Sequence, residues 1–156
     1  MDLKEIYTQV IMVHNASTRN KRHVEHPTAT IKGVNPSCGD EIELELRLSP
    51  EGVVEDVAFT GTGCAISQAS ASVMADLVRG KTLAEARRLE GLFLEMVRDG
   101  KLDDETIGHL QEAAAFSNVS HMPARVKCAV LGWHTLNEAL DASEAKEGGK
   151  DGGNGG

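Results

Sequence analysis

The sequence is poor in several residue types that often define a small protein. Its 156 residues include one Trp, one Tyr, three Phe, four Pro and three Cys. Aromatic residues amount to only 3%, so Leu, Ile, Val, Met and Ala must form most of the core. An odd number of cysteines excludes a complete disulfide framework. The length instead suits one domain that buries its own core without disulfide bonds.

Basic residues and long apolar runs are also scarce. Sixteen Lys and Arg residues stand against 24 Asp and Glu residues, which gives a formal net charge of −8. Because phosphate binding needs a basic face, this charge argues against nucleic acid or an anionic membrane as the main partner. No apolar run approaches the ~20 residues that cross a bilayer, and no signal sequence opens the chain. We therefore expect a cytoplasmic protein.

Alternating hydrophobicity predicts a small sheet. Between Glu41 and Leu48, apolar residues alternate with charged ones, which is typical of a strand with one buried and one solvated face. Segments rich in β-branched residues predict two further strands, over residues 28–34 and 53–60. The turn sequence at residues 49–52 joins the second and third strands.

Helical periodicity and capping residues predict about five helices around this sheet. They begin at Asp2, Ala65, Thr82, Asp103 or Asp104, and Pro123. The fourth of these is expected to continue to Ala114, whereas residues 14–26 and 118–121 are expected to be loops. The predicted fold class is therefore α+β, with a three-stranded antiparallel sheet that about five helices cover on one side.

The C-terminal residues differ in composition from the rest of the chain. Residues 141–156 contain six Gly and no large apolar side chain. Such a segment cannot bury enough surface to offset the entropy lost on ordering. We therefore expect a domain over residues 1–140 and a disordered Gly-rich tail over residues 141–156.

Each of the three cysteines lies near the start or end of a predicted element. Cys38 lies in a turn sequence before the best strand, and Cys64 lies between a strand and a helix N-terminus, which lowers the pKa of a thiol. Cys128 lies early in the last helix. One hypothesis is that they meet at one end of the domain, with Asp40 adding an oxygen. Three thiolates and one carboxylate suit zinc.

The spacing of the cysteines leaves a second interpretation open. Free cysteines are often buried as small apolar residues, and this chain has no CxxC pair. Glycines beside Cys38 and Cys64 favour loops that expose thiols. If a zinc centre forms, Arg125 or Lys127 could offset part of its negative charge.

Three runs of the sequence resemble the SufU proteins. The runs are Asn35–Asp40 (NPSCGD), Gly61–Ser70 (GTGCAISQAS) and Arg125–Trp133 (RVKCAVLGW). SufU proteins belong to the U-type iron–sulfur superfamily with the IscU and NifU-type proteins, and the resemblance covers about residues 2–140. Lys127 stands where IscU-type proteins carry a histidine. Residues 82–116 are long enough for the additional helical segment of SufU proteins.

The resemblance implies a zinc centre and a sulfurtransferase-type activity. The implied zinc ligands are Cys38, Asp40, Cys64 and Cys128, and Arg125 matches a supporting basic residue. Cys38 would accept persulfide sulfur from a SufS-type cysteine desulfurase, and the chain would pass it to the downstream iron–sulfur assembly machinery. One alternative is a scaffold that builds and transfers a [2Fe–2S] cluster on the same ligands. Another is a purely structural zinc domain.

The segment after the first helix departs from the SufU pattern. SufU-like proteins usually continue from the histidine with an aromatic residue and Pro, then Asn and Gly. This chain continues from His14 with Asn-Ala-Ser-Thr-Arg, and only His14 and Asn20 match. The role of residues 14–26 therefore stays open. The six histidines show no spacing typical of metal ligands, and most are expected to be solvated or to cap helices.

Overall fold

The computed structural model of the chain describes residues 3–151, and side chains over residues 5–145. Helices and strands follow one another in the order α1 Leu3–Ala16, β1 Ala29–Asn35, β2 Asp40–Leu48, β3 Val54–Thr62, α2 Ala65–Val78, α3 Leu83–Asp99, α4 Asp104–Gly108, a 3-10 helix Gln111–His121 and α5 Pro123–Asp151. Asp2, the predicted first cap, lies outside the described residues. No helix in the described part of the chain is long and apolar enough to span a membrane.

The three strands form one antiparallel sheet in the order β1-β2-β3, which confirms the predicted α+β class. Ile42, Leu44 and Leu46 of the central strand are fully buried, because the alternating pattern turns them all to the helix-covered face. Asn35 pairs with Asp40 across the hairpin between β1 and β2. This pairing confines residues 36–39, including Cys38, to a tight turn.

Local capping signals fixed most helix boundaries. Thr82 caps α3, since its hydroxyl accepts a 3.1 Å hydrogen bond from the Glu85 N–H. Gly100 ends that helix in the left-handed conformation, with a φ of 65°. Asp103 caps α4 through a 2.7 Å hydrogen bond from the Thr106 N–H.

The segment after Asp103 differs from the prediction. The α-helix expected to reach Ala114 ends at Gly108, and residues 111–121 form a 3-10 helix. Gln111 has a φ of 51°, which breaks the α-helical path. The 3-10 helix includes residues 118–121, so the prediction of a loop there is wrong. Burial of Phe116 and Val119 in the core holds this irregular segment in place.

Four of the five aromatic residues meet in one cluster. Phe93 stacks on Trp133 with ring centroids 4.3 Å apart, and Phe116 lies 6.0 Å from Phe93. Tyr7 meets Phe116 edge-on at 5.5 Å. These side chains come from α1, α3, the 3-10 helix and α5, so the cluster fixes the position of α5, which carries Cys128.

The last helix continues beyond the predicted domain end. α5 runs to Asp151, and Ser143 is fully buried with its hydroxyl 2.7 Å from the Thr28 hydroxyl. Arg87 of α3 forms 2.8 Å ion pairs with Asp141 and Glu144. Small side chains and ion pairs hold this part of α5 without large apolar residues, so the helix continues past residue 140. Residues 152–156 lie outside the described residues.

The segment between α1 and β1, residues 17–28, is held in place by polar contacts. Asn20 is buried, and its amide donates to Ser72 O and to Asp76 Oδ1, each at 3.0 Å. Arg22 donates two 2.9 Å hydrogen bonds to Asp56. These bonds lower the pKa of Asp56, so this pair stays charged at neutral pH. The segment therefore packs on α2 and β3.

Candidate metal centre

Cys38 occupies the tip of the β1–β2 hairpin. Its side chain is exposed, and its N–H donates a 3.2 Å hydrogen bond to Asn35 O. Gly39 follows with a φ of 72°, a conformation that glycine adopts without strain. The turn therefore presents Cys38 at the surface while its backbone is held by the strand pairing.

Asp40 begins β2 and is fully buried. Its Oδ1 accepts a 2.8 Å hydrogen bond from the Cys64 N–H, and its Oδ2 lies 3.4 Å from the Asn35 amide nitrogen. Both described partners are neutral donors. A buried carboxylate with only neutral partners favours a cation at this point.

Cys64 caps the N-terminus of α2. Its sulfur accepts a 3.5 Å hydrogen bond from the Ser67 N–H. Gly63 precedes it, and a Cβ there would lie 2.7 Å from Asp40 Oδ1. Glycine at 63 is therefore what allows the β3–α2 connection to approach the carboxylate.

Cys128 lies in the early part of α5 and is fully buried. Its sulfur is 3.0 Å from the Cys38 sulfur, although 90 residues separate the two in sequence. Cys38, Asp40 and Cys128 each offer one ligand atom, and these atoms lie within 4.8 Å of one another. The three residues could therefore share one metal ion.

Cys64 lies beside this group rather than within it. Burial, then the neighbouring Cys38 and Cys64 thiols, raises the pKa of the Cys128 thiol well above its usual range. Three thiols and a buried carboxylate fit a soft divalent cation, which would offset their mutual repulsion once they ionise. The structure thus brings the ligand atoms of three of the four predicted ligands within 4.8 Å of one another and places Cys64 next to Cys128.

Arg125 is exposed near the start of α5. Its charge acts on Tyr7. Burial raises the pKa of Tyr7, the charge of Arg125 lowers this pKa, and the Cys64 and Cys128 thiols raise it. Arg125 therefore shares an electrostatic environment with two of the candidate ligands, Cys64 and Cys128.

Tyr7 is a candidate functional residue that the sequence analysis did not identify. The prediction assigned it only to the apolar face of α1, yet its buried hydroxyl has no hydrogen-bond partner among the described residues. A buried hydroxyl without a partner is unfavourable in a purely structural position. Its only sequence signal is that it is the single Tyr of the chain.

A second group of possible ligands contains His14, Asp76 and Glu112. Contrary to the expectation for most histidines, His14 is buried, with Nδ1 2.8 Å from the Ser72 hydroxyl and Nε2 2.8 Å from Glu112. Asp76 pairs with Arg19 and Arg79. The members of this group therefore already have protein partners. We interpret the group as a set of polar contacts that holds α1 to α2 and the 3-10 helix.

The fold and the site together define a small α+β protein with a thiol-rich candidate metal centre at one end of its sheet. Residues 6–150 match the family described as NifU-like N terminal domain. The chain therefore belongs to the NifU-like N-terminal domain family, as the resemblance predicted.

Named relatives are similar over nearly the whole chain. The zinc-dependent sulfurtransferase SufU of Bacillus subtilis is 39% identical over 143 residues, which cover 92% of this chain and 95% of that protein. The iron–sulfur cluster assembly scaffold protein IscU of Thermotoga maritima is 39% identical over 140 residues, covering 90% and 96%. The crystal structure of FiSufU from Fervidobacterium islandicum AW-1 has a TM-score of 0.75 and 34% identity, covering 87% and 97%.

Proposed function

We propose that this chain is a zinc-dependent sulfur acceptor in iron–sulfur cluster biogenesis. It takes persulfide sulfur from a SufS-type cysteine desulfurase in the cytoplasm and passes it to the assembly machinery. The observation that carries the proposal is the gathering of Cys38, Asp40 and Cys128 within 4.8 Å, with Cys64 beside them. The similarity to the zinc-dependent sulfurtransferase of B. subtilis supports the same chemistry.

Cys38 is the residue best placed to accept sulfur. Its side chain is exposed at a hairpin tip, whereas Cys128 is fully buried and Cys64 caps α2. A partner's persulfide can therefore reach the Cys38 sulfur without rearrangement of a helix. Cys64 and Cys128 remain fixed in the protein, as ligands should be.

The transfer exchanges one sulfur–sulfur bond for another. The Cys38 thiolate attacks the outer sulfur of the donor's persulfide, a new bond forms between these two sulfurs, and the donor's own bond breaks. The donor cysteine leaves as a thiolate, and the outer sulfur keeps its proton or charge on Cys38. No external oxidant or reductant is needed.

The zinc ion would be held by Cys38, Asp40, Cys64 and Cys128. When bound, it keeps cysteine sulfurs deprotonated at neutral pH. Asp40 contributes a harder oxygen ligand among soft sulfurs, which favours a coordination sphere that can exchange a ligand. Its hydrogen bond from the Cys64 N–H orients the carboxylate toward this position.

Substitution of Cys38 tests the proposal directly. Cys38→Ala removes the accepting sulfur, so we expect it to abolish stimulation of a SufS-type desulfurase. Ser37→Ala, in the same exposed turn, is the matched control and should stimulate like the wild type. Desulfurase turnover and zinc content are measured for all three proteins. A Cys38→Ala protein that stimulates fully would show that the role in sulfur transfer is wrong.

A second candidate function is a scaffold that assembles a [2Fe–2S] cluster on the same ligands. The 39% identity to the T. maritima scaffold protein favours it. Anaerobic reconstitution with iron and sulfide separates the two functions. A stable cluster that transfers to an acceptor protein, with zinc dispensable, would support the scaffold and contradict the sulfur acceptor.

A further inference from the structure

The arginines of this chain divide into paired and unpaired groups. Six of the eight form ion pairs with carboxylates, namely Arg19, Arg22, Arg47, Arg79, Arg87 and Arg88. Within the described part of the chain, Arg98 and Arg125 form no such pair, and neither does Lys127. In a protein of net charge −8, unpaired cations near the candidate metal centre need an explanation.

Arg98 and Lys127 line a shallow cleft between β1, α3 and α5. Its volume is about 230 Å³, and its apolar wall consists of Val34, Val130 and Leu131. Val34 is 55% exposed, one of the large apolar side chains that the described surface leaves open to solvent. The cleft therefore combines an apolar wall with two cationic side chains.

His134 adds a polar group to the same cleft. Burial, followed by the charge of Arg98, lowers the pKa of His134, while Glu138 opposes this effect. The neutral ring can accept a hydrogen bond from Arg98, whose Nη2 lies 2.9 Å from Nε2. No carboxylate lines the cleft among the described residues, so its charge is positive.

The cleft adjoins the candidate metal centre. Asn35 lines it, and the same residue accepts the Cys38 N–H at 3.2 Å and lies next to Asp40 in the hairpin pairing. Lys127 directly precedes Cys128. A molecule seated in the cleft would therefore lie beside the sulfur that the proposed function makes the acceptor.

The size of the cleft favours side chains of a protein over a small-molecule ligand. Small-molecule sites usually occupy ~300–1,000 Å³ and enclose most of the ligand, whereas this cleft is smaller and open. Positive side chains around an apolar wall complement a segment that carries carboxylates and one apolar side chain.

We propose that this cleft docks an acidic segment of the sulfur-donating partner, with an apolar side chain of that segment against Val34, Val130 and Leu131. This inference rests on the proposed function, since it takes the partner to be the desulfurase. Arg98 and Lys127 would pair with the partner's carboxylates. The contact would bring the donor's persulfide to Cys38 and fix its orientation.

Charge reversal in the cleft tests the proposal. We expect Arg98→Glu and Lys127→Glu each to raise the half-saturating concentration for desulfurase stimulation by about tenfold at low salt, because the new carboxylate repels the partner's carboxylates and slows association. For Arg98→Glu the rate at saturation should stay within about twofold of the wild type, and for both variants the salt dependence of binding should weaken. Lys81→Glu, at the turn after α2, is the matched control for net charge and should leave half-saturation unchanged.

Several outcomes would overturn the docking cleft. The cleft is overturned if Arg98→Glu and Lys127→Glu have the same half-saturating concentration as the wild type. It is also overturned if Lys81→Glu raises that concentration as much as the two cleft variants do. Arg98→Gln and circular dichroism of each variant separate the loss of charge from a loss of folding. If Cys38→Ala abolishes stimulation while the cleft variants bind normally, the cleft is wrong and the proposed function stands. A wild-type chain that neither binds nor stimulates the desulfurase overturns both.

Discussion

Residue 63 shows how one missing side chain shapes the candidate metal centre. Oδ1 of Asp40 lies only 2.7 Å from where a Cβ on residue 63 would be, and it accepts a hydrogen bond from the N–H of the next residue, Cys64. In the sequence alone, the glycine beside Cys64 indicates only a loop that exposes the thiol. Its role in the structure is to let backbone and carboxylate approach closely, a contact between the β3–α2 connection and β2 that local sequence does not reveal.

Gly63→Ala is expected to weaken both metal binding and the fold. The new methyl group would lie 2.7 Å from Asp40 Oδ1 and 2.7 Å from the Ser67 hydroxyl, so the carboxylate must move. Such overpacking costs about 1–3 kcal/mol of unfolding free energy. Urea unfolding and zinc content of the purified protein measure the two effects.

Gly91→Ala is the matched control for this substitution. Gly91 lies within α3, and a Cβ there meets nothing within 4 Å. Replacement by Ala should stabilise the helix by up to about 1 kcal/mol and leave zinc content unchanged. If Gly63→Ala behaved like Gly91→Ala, the close approach at residue 63 would not matter to the centre.

At the scale of elements, capping and turn residues predicted most boundaries, because these interactions join residues two to four apart. Thr82, Gly100 and Asp103 act as their sequence contexts indicated. The errors fall where tertiary contacts override local preference. Burial of Phe116 stabilises a 3-10 helix, and contacts with Thr28 and Arg87 extend α5 past residue 140.

Two truncations test the extension of α5. A chain that ends at Leu140 loses the buried Ser143 contact and both ion pairs of Arg87. We expect it to lose about 1–3 kcal/mol of unfolding free energy, since these are one buried hydrogen bond and two partly exposed ion pairs. A chain that ends at Asp151 keeps them and should match the full length. Equal stability of both truncated chains would show that the contacts beyond residue 140 add nothing to the stability of the domain.

At the scale of the whole molecule, the candidate centre joins parts of the chain that are far apart in sequence. Cys38 belongs to the β1–β2 hairpin, Cys64 to the β3–α2 connection and Cys128 to α5. A metal ion bound by all three would hold the sheet to two helices. Metal binding should therefore contribute to the stability of the entire domain.

Removal of zinc by a chelator is expected to lower the thermal unfolding midpoint, and re-addition to restore it. Zinc at ~1,000 times its dissociation constant adds about 4 kcal/mol to the unfolding free energy. Because burial and neighbouring thiols raise the pKa of Cys128, this thiol is protonated in the metal-free protein and must lose its proton on binding.

Zinc binding should consequently release protons and tighten as pH rises. Calorimetry in two buffers of different ionisation enthalpy measures the protons released. Cys128→Ala is the control and should release fewer protons and bind zinc more weakly. Zinc affinity that did not change between about pH 6 and 8 would contradict a protonated thiol in the metal-free centre.

The sequence by itself determined the three strands, the hairpin that presents Cys38 and the capping position of Cys64, because turns, caps and alternating patterns act over a few residues. The resemblance added the set of candidate ligands. Only the tertiary structure placed the Cys38 and Cys128 sulfurs 3.0 Å apart, buried the Tyr7 hydroxyl and opened a basic cleft beside the centre. These features depend on how α5 packs through Trp133 against Phe93 and over the sheet, and such long-range packing leaves no local signal.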